Sequence, residues 1–134
     1  MKISDIARNA FDAALTALID GGGGAGKIQI YTGSPPANTT DGASGTLLST
    51  MTFSATSFGT PATGVTTANT ITSDASVAAT GTAGYYRIKD HANVCIGQGL
   101  VGLSGADLNL DSLSFILAGT CAITSATITM PAGS

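Results

Sequence analysis

From residue 3 to residue 19, apolar side chains recur every three or four positions: Ile3, Ile6, Ala7, Ala10, Phe11, Ala14, Leu15 and Leu18. That spacing predicts one amphipathic helix with a single apolar stripe. Asp5, Arg8, Asn9, Asp12 and Thr16 fall mostly off the stripe. Ser4 suits the N-cap, Asp5 suits the first turn, and Arg8 and Asp12 are spaced to pair across one turn. Gly21 is placed to supply a left-handed stop. The run Gly21-Gly22-Gly23-Gly24-Ala25-Gly26 that follows reads as a flexible linker, which lets the helix fold onto its own domain or dock on a neighbour.

At Lys27 the period changes to two. Lys27-Ile28-Gln29-Ile30-Tyr31 alternates and stops at Thr32-Gly33-Ser34-Pro35-Pro36. Residues 47–58 form a second strand region, with Met51, Phe53 and Ala55 on one face and Thr50, Thr52, Ser54 and Thr56 on the other. Weaker strand patterns cover 65–71 and 75–80. Residues 85–89 and 94–96 flank Asp90-His91-Ala92-Asn93, a hairpin-turn composition. Shorter apolar runs follow at 100–103, 108–110 and 113–117. The segment 122–130 reads as a closing strand with Ala122, Thr124, Ala126, Ile128 and Met130 on one face.

About eight short strands at this spacing, with no helix-length segment between them, predict a mainly β fold. The expected architecture is an antiparallel β-sandwich or jelly-roll-like domain with one N-terminal amphipathic helix. Residues 1–26 form the helix and glycine linker, and residues 27–134 the sandwich.

Composition narrows the function. Only 10% of the 134 residues are charged, with eight Asp, no Glu and a net charge of −3, against about 25% charged in an ordinary domain. A charge-poor, hydroxyl-rich surface fits extensive contact with other protein. The five basic residues, Lys2, Arg8, Lys27, Arg87 and Lys89, are too few and too spread along the chain for a nucleic-acid footprint. No apolar run reaches the length of a membrane helix, and Asp5, Arg8, Asn9 and Asp12 interrupt any signal-like run, so synthesis in the cytosol is expected. Two reduced thiols are the expected state of Cys95 and Cys121 there, with a disulfide only if their strands are neighbours.

Candidate chemistry is sparse. Gly21-x-x-x-x-Gly26-Lys27 resembles a phosphate-binding loop, but Ile28 replaces its hydroxyl residue, and helix and strand come in the reverse order. His91, the one histidine, is the one conventional general base, and it falls at a turn tip. Asp107, Asn109 and Asp111 alternate on one strand face, three oxygens where calcium takes six to eight. Their simpler role is to face water while Leu108 and Leu110 face the core. Tyr31, Tyr85 and Tyr86 could stack on sugar, or sit at a core edge. No catalytic residue, cofactor or metal is expected.

The segments YTGSPPA (31–37), LLSTMTFSATSFG (47–59), ITSDASVAATGTAGYYRIKD (71–90), GLSGADLNL (102–110) and ITSATITMPAG (123–133) resemble small structural proteins of tailed bacteriophages. The resemblance implies a virion component made in the host cytoplasm. Decoration or cementing of a capsid is the expected role, with the major capsid protein, other virion proteins and further copies of the chain as partners. The expected contact residues are Ile6, Ala10, Phe11, Ala14 and Leu18. A neck or tail component is the first alternative, and a glycan-binding module of a host-recognition apparatus the second.

Overall fold

A computed structural model describes residues 1–133. Helix α1 spans Asp5–Ile19. Eight strands follow: β1 (Lys27–Thr32), β2 (Leu47–Thr52), β3 (Val65–Thr67), β4 (Gly81–Lys89), β5 (Cys95–Gly102), β6 (Leu108–Asn109), β7 (Ser114–Phe115) and β8 (Thr127–Thr129). The fold is mainly strand, with one N-terminal helix and a curled mixed sheet.

The main sheet runs β2-β1-β4-β5-β6, and β7 pairs with the start of β4. Its centre is antiparallel: Ile28 lies opposite Met51 on β2 and Ile88 on β4, and Tyr86 lies opposite Gly99 on β5. The expectation of a purely antiparallel sheet is corrected at one edge, where β5 and β6 pair in parallel through Val101–Leu108 and Gly102–Asn109. Residues 103–107 loop out between them, and Leu110 N donates to Gly102 O at 2.9 Å, which holds β6 alongside the end of β5 in the same direction. β3 and β8 form a separate two-stranded ribbon.

The alternation at Lys27–Tyr31 sorts the sheet faces. Ile28, Ile30 and Met51 face the core, joined by Ile19, Phe53, Phe58, Val77, Phe115 and Ile123. Phe53 and Phe58 pack with ring centroids 5.6 Å apart. The opposite face carries Gln29, Tyr31, Tyr85 and Arg87, all buried because residues 33–46 fold across it. Tyr31 and Tyr85 stack at 5.1 Å, and the Tyr85 hydroxyl donates to Ser44 O at 2.6 Å. Gly84 sits at the irregularity where β1 and β4 shift register, and a Cβ there would collide with the Gly33 carbonyl. No other residue fits that crossing.

Several elements end earlier than alternation suggests. β2 stops at Thr52; Phe53 keeps the alternation and is buried, the chain bends at residues 55–56, and Phe58 is buried beyond the bend. Residues 75–80 are not a strand. They continue a segment that shields the outer edge of β2, with Thr72 N donating to Thr52 O and Ala78 N to Leu48 O at 2.8 and 2.7 Å. The closing segment changes phase: Cys121 and Ile123 are buried, Ala122 and Thr124 exposed, and only after Ser125 do Ala126, Ile128 and Met130 turn inward. Only Thr127–Thr129 of it is strand. The 90–93 turn matches its composition, with Asp90 N donating to Val94 O and Asn93 at φ +71°.

Candidate functional site

Helix α1 begins where its sequence indicates. Ser4 is the N-cap and its hydroxyl accepts from Ala7 N at 3.2 Å. The other end differs: Asp20 is the C-cap, and the left-handed residues are Gly22 and Gly23 rather than Gly21. The glycine run is a packed turn. Gly21 O accepts from His91 N, and Gly26 O accepts from Phe53 N. Arg8 does not pair with Asp12. It pairs with Asp5 at 2.8 Å, and its Nε donates to Met130 O at 2.7 Å.

The helix is rotated so that its polar residues face the fold. Asn9 Oδ1 accepts from Gly64 N at 2.8 Å, and Asp20 Oδ1 accepts from Ser57 N at 2.9 Å. Thr16 is buried, and Asp12 is completely buried. The reason lies in what the helix packs on. The turn before β3 and the end of β8 present backbone donors and acceptors that side chains must satisfy. Ile19 enters the core, and Leu15, one turn before it, and Ala7, near the helix start, are half-buried.

The apolar stripe is therefore split. Ile6, Ala10, Phe11, Ala14 and Leu18, the five expected contact residues, all lie exposed on one outer face. Ile6 is 84% exposed, Leu18 59% and Phe11 52%. These residues do not cover the chain's own core. They form an exposed apolar stripe along the helix.

Asp12 carries an unsatisfied carboxylate. Neither oxygen has a hydrogen-bond partner among the described residues. Burial pushes its pKa up, against the opposing pull of the Arg8 guanidinium. Asp74 is its counterpart under β2. Its Oδ2 accepts from Ser49 Oγ and Thr50 N at 2.8 and 3.1 Å, and its Oδ1 accepts from Ser76 N at 3.0 Å. Burial raises the Asp74 pKa, but these three hydrogen bonds together outweigh it and hold the carboxyl below its ordinary value. Asp74 carried no signal in the sequence, since its partners lie on β2.

The remaining candidates do not assemble into a reactive centre. His91 is exposed at its turn. Cys95 and Cys121 are both free thiols, and the buried Cys121 Sγ lies 3.8 Å from Met51 Sδ. Burial raises the Cys121 pKa. Asp107 and Asn109 are exposed and engaged locally, accepting from Leu100 N and Ala106 N, while Leu108 and Leu110 pack on the core. Among the described residues, no group of three or more His, Cys, Asp or Glu side chains converges to hold a metal. No helix among them is long and apolar enough to cross a membrane. Tyr31 and Tyr85 are buried, so the three tyrosines do not form an exposed cluster. A cleft of about 360 Å³ beside α1 is lined by Leu15, Ile19, Tyr86, Ile88 and Ile96, with Asp107 at its edge. Burial and then the Asp107 charge raise the Tyr86 pKa, which keeps that phenol protonated.

No family model, curated protein or solved structure matches the chain.

Proposed function

We propose that this chain is a non-enzymatic structural protein of a tailed-phage virion, which decorates or cements the capsid by contact with the major capsid protein and with further copies of itself. The observation that carries the assembly role is the outer face of α1. Ile6, Ala10, Phe11, Ala14 and Leu18 stand together in water while the same helix buries Asp12 and Thr16. Covering that face removes apolar area from water at about 25 cal/mol per Å², and repetition over many copies multiplies a modest gain. The phage and capsid assignment rests on the resemblance of the five quoted segments. A sandwich or jelly-roll-like closure of the sheet belongs to the same proposal, as the compact form suited to dense packing on a shell.

The test is quantitative mass spectrometry of purified particles, counting this chain against the major shell protein. A simple fraction of one copy per shell subunit supports decoration. A few copies per particle move the chain to the neck or tail. Absence from particles, together with a stable monomer in solution, overturns the virion role.

A further inference from the structure

The five basic residues are dispersed in sequence, but the fold gathers three of them. Lys27 lies directly opposite Lys89 in the β1–β4 register, and Arg87 precedes Lys89 by two residues and so shares its face. Like charges opposed across strands are unfavourable, and no carboxylate forms an ion pair with them: among the described residues the only ion pair joins Arg8 to Asp5.

Arg87 and Lys89 line a cavity of about 440 Å³ between the sheet and the 33–46 crossing segment, with Thr39, Thr40 and Asn93. Arg87 is 3% exposed. Among the described residues its guanidinium meets only neutral acceptors, with Nε donating to Gln98 Oε1 at 3.1 Å and Nη2 to Asn38 O at 3.5 Å. Gln98 is itself oriented by donating Nε2 to Pro36 O at 2.8 Å. Lys89 Nζ is held by the Tyr31 hydroxyl at 3.0 Å, which donates onward to Gln29 Oε1. Both cations are thus positioned by neutral groups beside an open cavity. A buried guanidinium ordinarily has an anionic partner, because its desolvation is otherwise uncompensated.

We propose that this cavity is a binding site for an oxyanion, a carboxylate or phosphoryl group carried on a larger molecule, with Arg87 and Lys89 as its charged contacts. Arginine's planar fork matches either group. The volume is that of a small-molecule site and exceeds a bare ion. Asp41 is the one acidic residue on the lining, and its Oδ2 is occupied by Asn38 N and Nδ2 at 3.1 and 3.4 Å. Its charge opposes the ligand and sets a ceiling on affinity. The site uses no residue of α1, so its failure and that of the assembly role are separable.

The experiment is a titration of the full chain with inorganic phosphate and, separately, succinate. Both run in chloride at matched ionic strength and are followed by amide and arginine Nε–H chemical shifts. Saturable shifts centred on Gly42 and Arg87 are expected. Lys89→Met should weaken binding by about tenfold, equivalent to about 1.4 kcal/mol. The exposed Asp41→Asn change, which removes the opposing charge without touching the core, should tighten it about threefold by the same relation. Saturation by phosphate alone assigns a phosphoryl ligand, and saturation by succinate assigns a carboxylate, including one from a neighbouring protein. No saturable shift with either probe overturns the site. So does saturation that is unchanged in both variants.

Discussion

The sheet and the helix bury carboxylates on opposite terms. Beneath β2, Asp74 receives three hydrogen bonds, two from β2 itself, and its ionised form is favoured. On the inner face of α1, Asp12 is completely buried with neither oxygen paired among the described residues, and burial raises its pKa. The hydrophobic groups follow the same division. Ile30 and Leu48 are fully enclosed, while Ile6, Phe11 and Leu18 stand in water. The centre of the sheet pairs its carboxylate and encloses its apolar groups, although Val94, Leu100, Leu103, Ile116 and Leu117 stand exposed elsewhere in the strand half. The helix hides a lone carboxylate and shows its apolar stripe, and the proposed assembly role rests on that stripe.

The difference can be broken from both sides. Ile30→Ala should destabilise the chain most, by about 3 kcal/mol, from lost burial and a cavity at the sheet centre; urea unfolding measures it. An unchanged midpoint would mean the sheet core is not close-packed. Asp74→Ala should cost about 2 kcal/mol, since it leaves the Ser49 hydroxyl and Thr50 N–H without their acceptor. Its contribution is present above the ordinary carboxyl value of 3.8 and is lost as pH falls through the lowered folded value. Asp74→Ala should therefore remove part of the acid destabilisation of the native chain.

Asp12 has the reverse sign. Its pKa is raised by folding, so the native chain is least burdened below 3.8 and loses stability as pH rises from there through the raised folded value. Asp12→Ala should flatten that slope and stabilise the chain by about 1 kcal/mol near pH 7. Urea midpoints at about pH 4 and pH 7 decide it, and a destabilised variant would show that Asp12 has a partner in solution. Phe11→Ser should have the smallest effect on folding, within about 0.5 kcal/mol, yet it should abolish incorporation into assemblies. Loss of stability with assembly intact would return the outer face of α1 to the chain's own core.

Much of this division was legible in the residues. The Ser4 cap, the change of period at Lys27 and the 90–93 turn are local signals, because capping, alternation and turn chemistry act within a few residues. The phase change in residues 121–130 was not legible: Ala122 and Thr124 keep perfect alternation with Ile128, and only the pairing of Cys121 with Asp74 turns the first half over. Likewise Arg87 and Lys89 show their shared face in sequence, but Lys27 joins them only through the β1–β4 register.

The amino-acid sequence by itself determined a helix, a set of short strands and the apolar stripe of five residues that could make contact. Periodicity is a property of neighbours along the chain. The tertiary structure alone decided which way that stripe faces. Rotation of α1 is set by the backbone groups of Gly64 and Met130 that demand Asn9 and Arg8 as partners, and those groups lie more than fifty residues away.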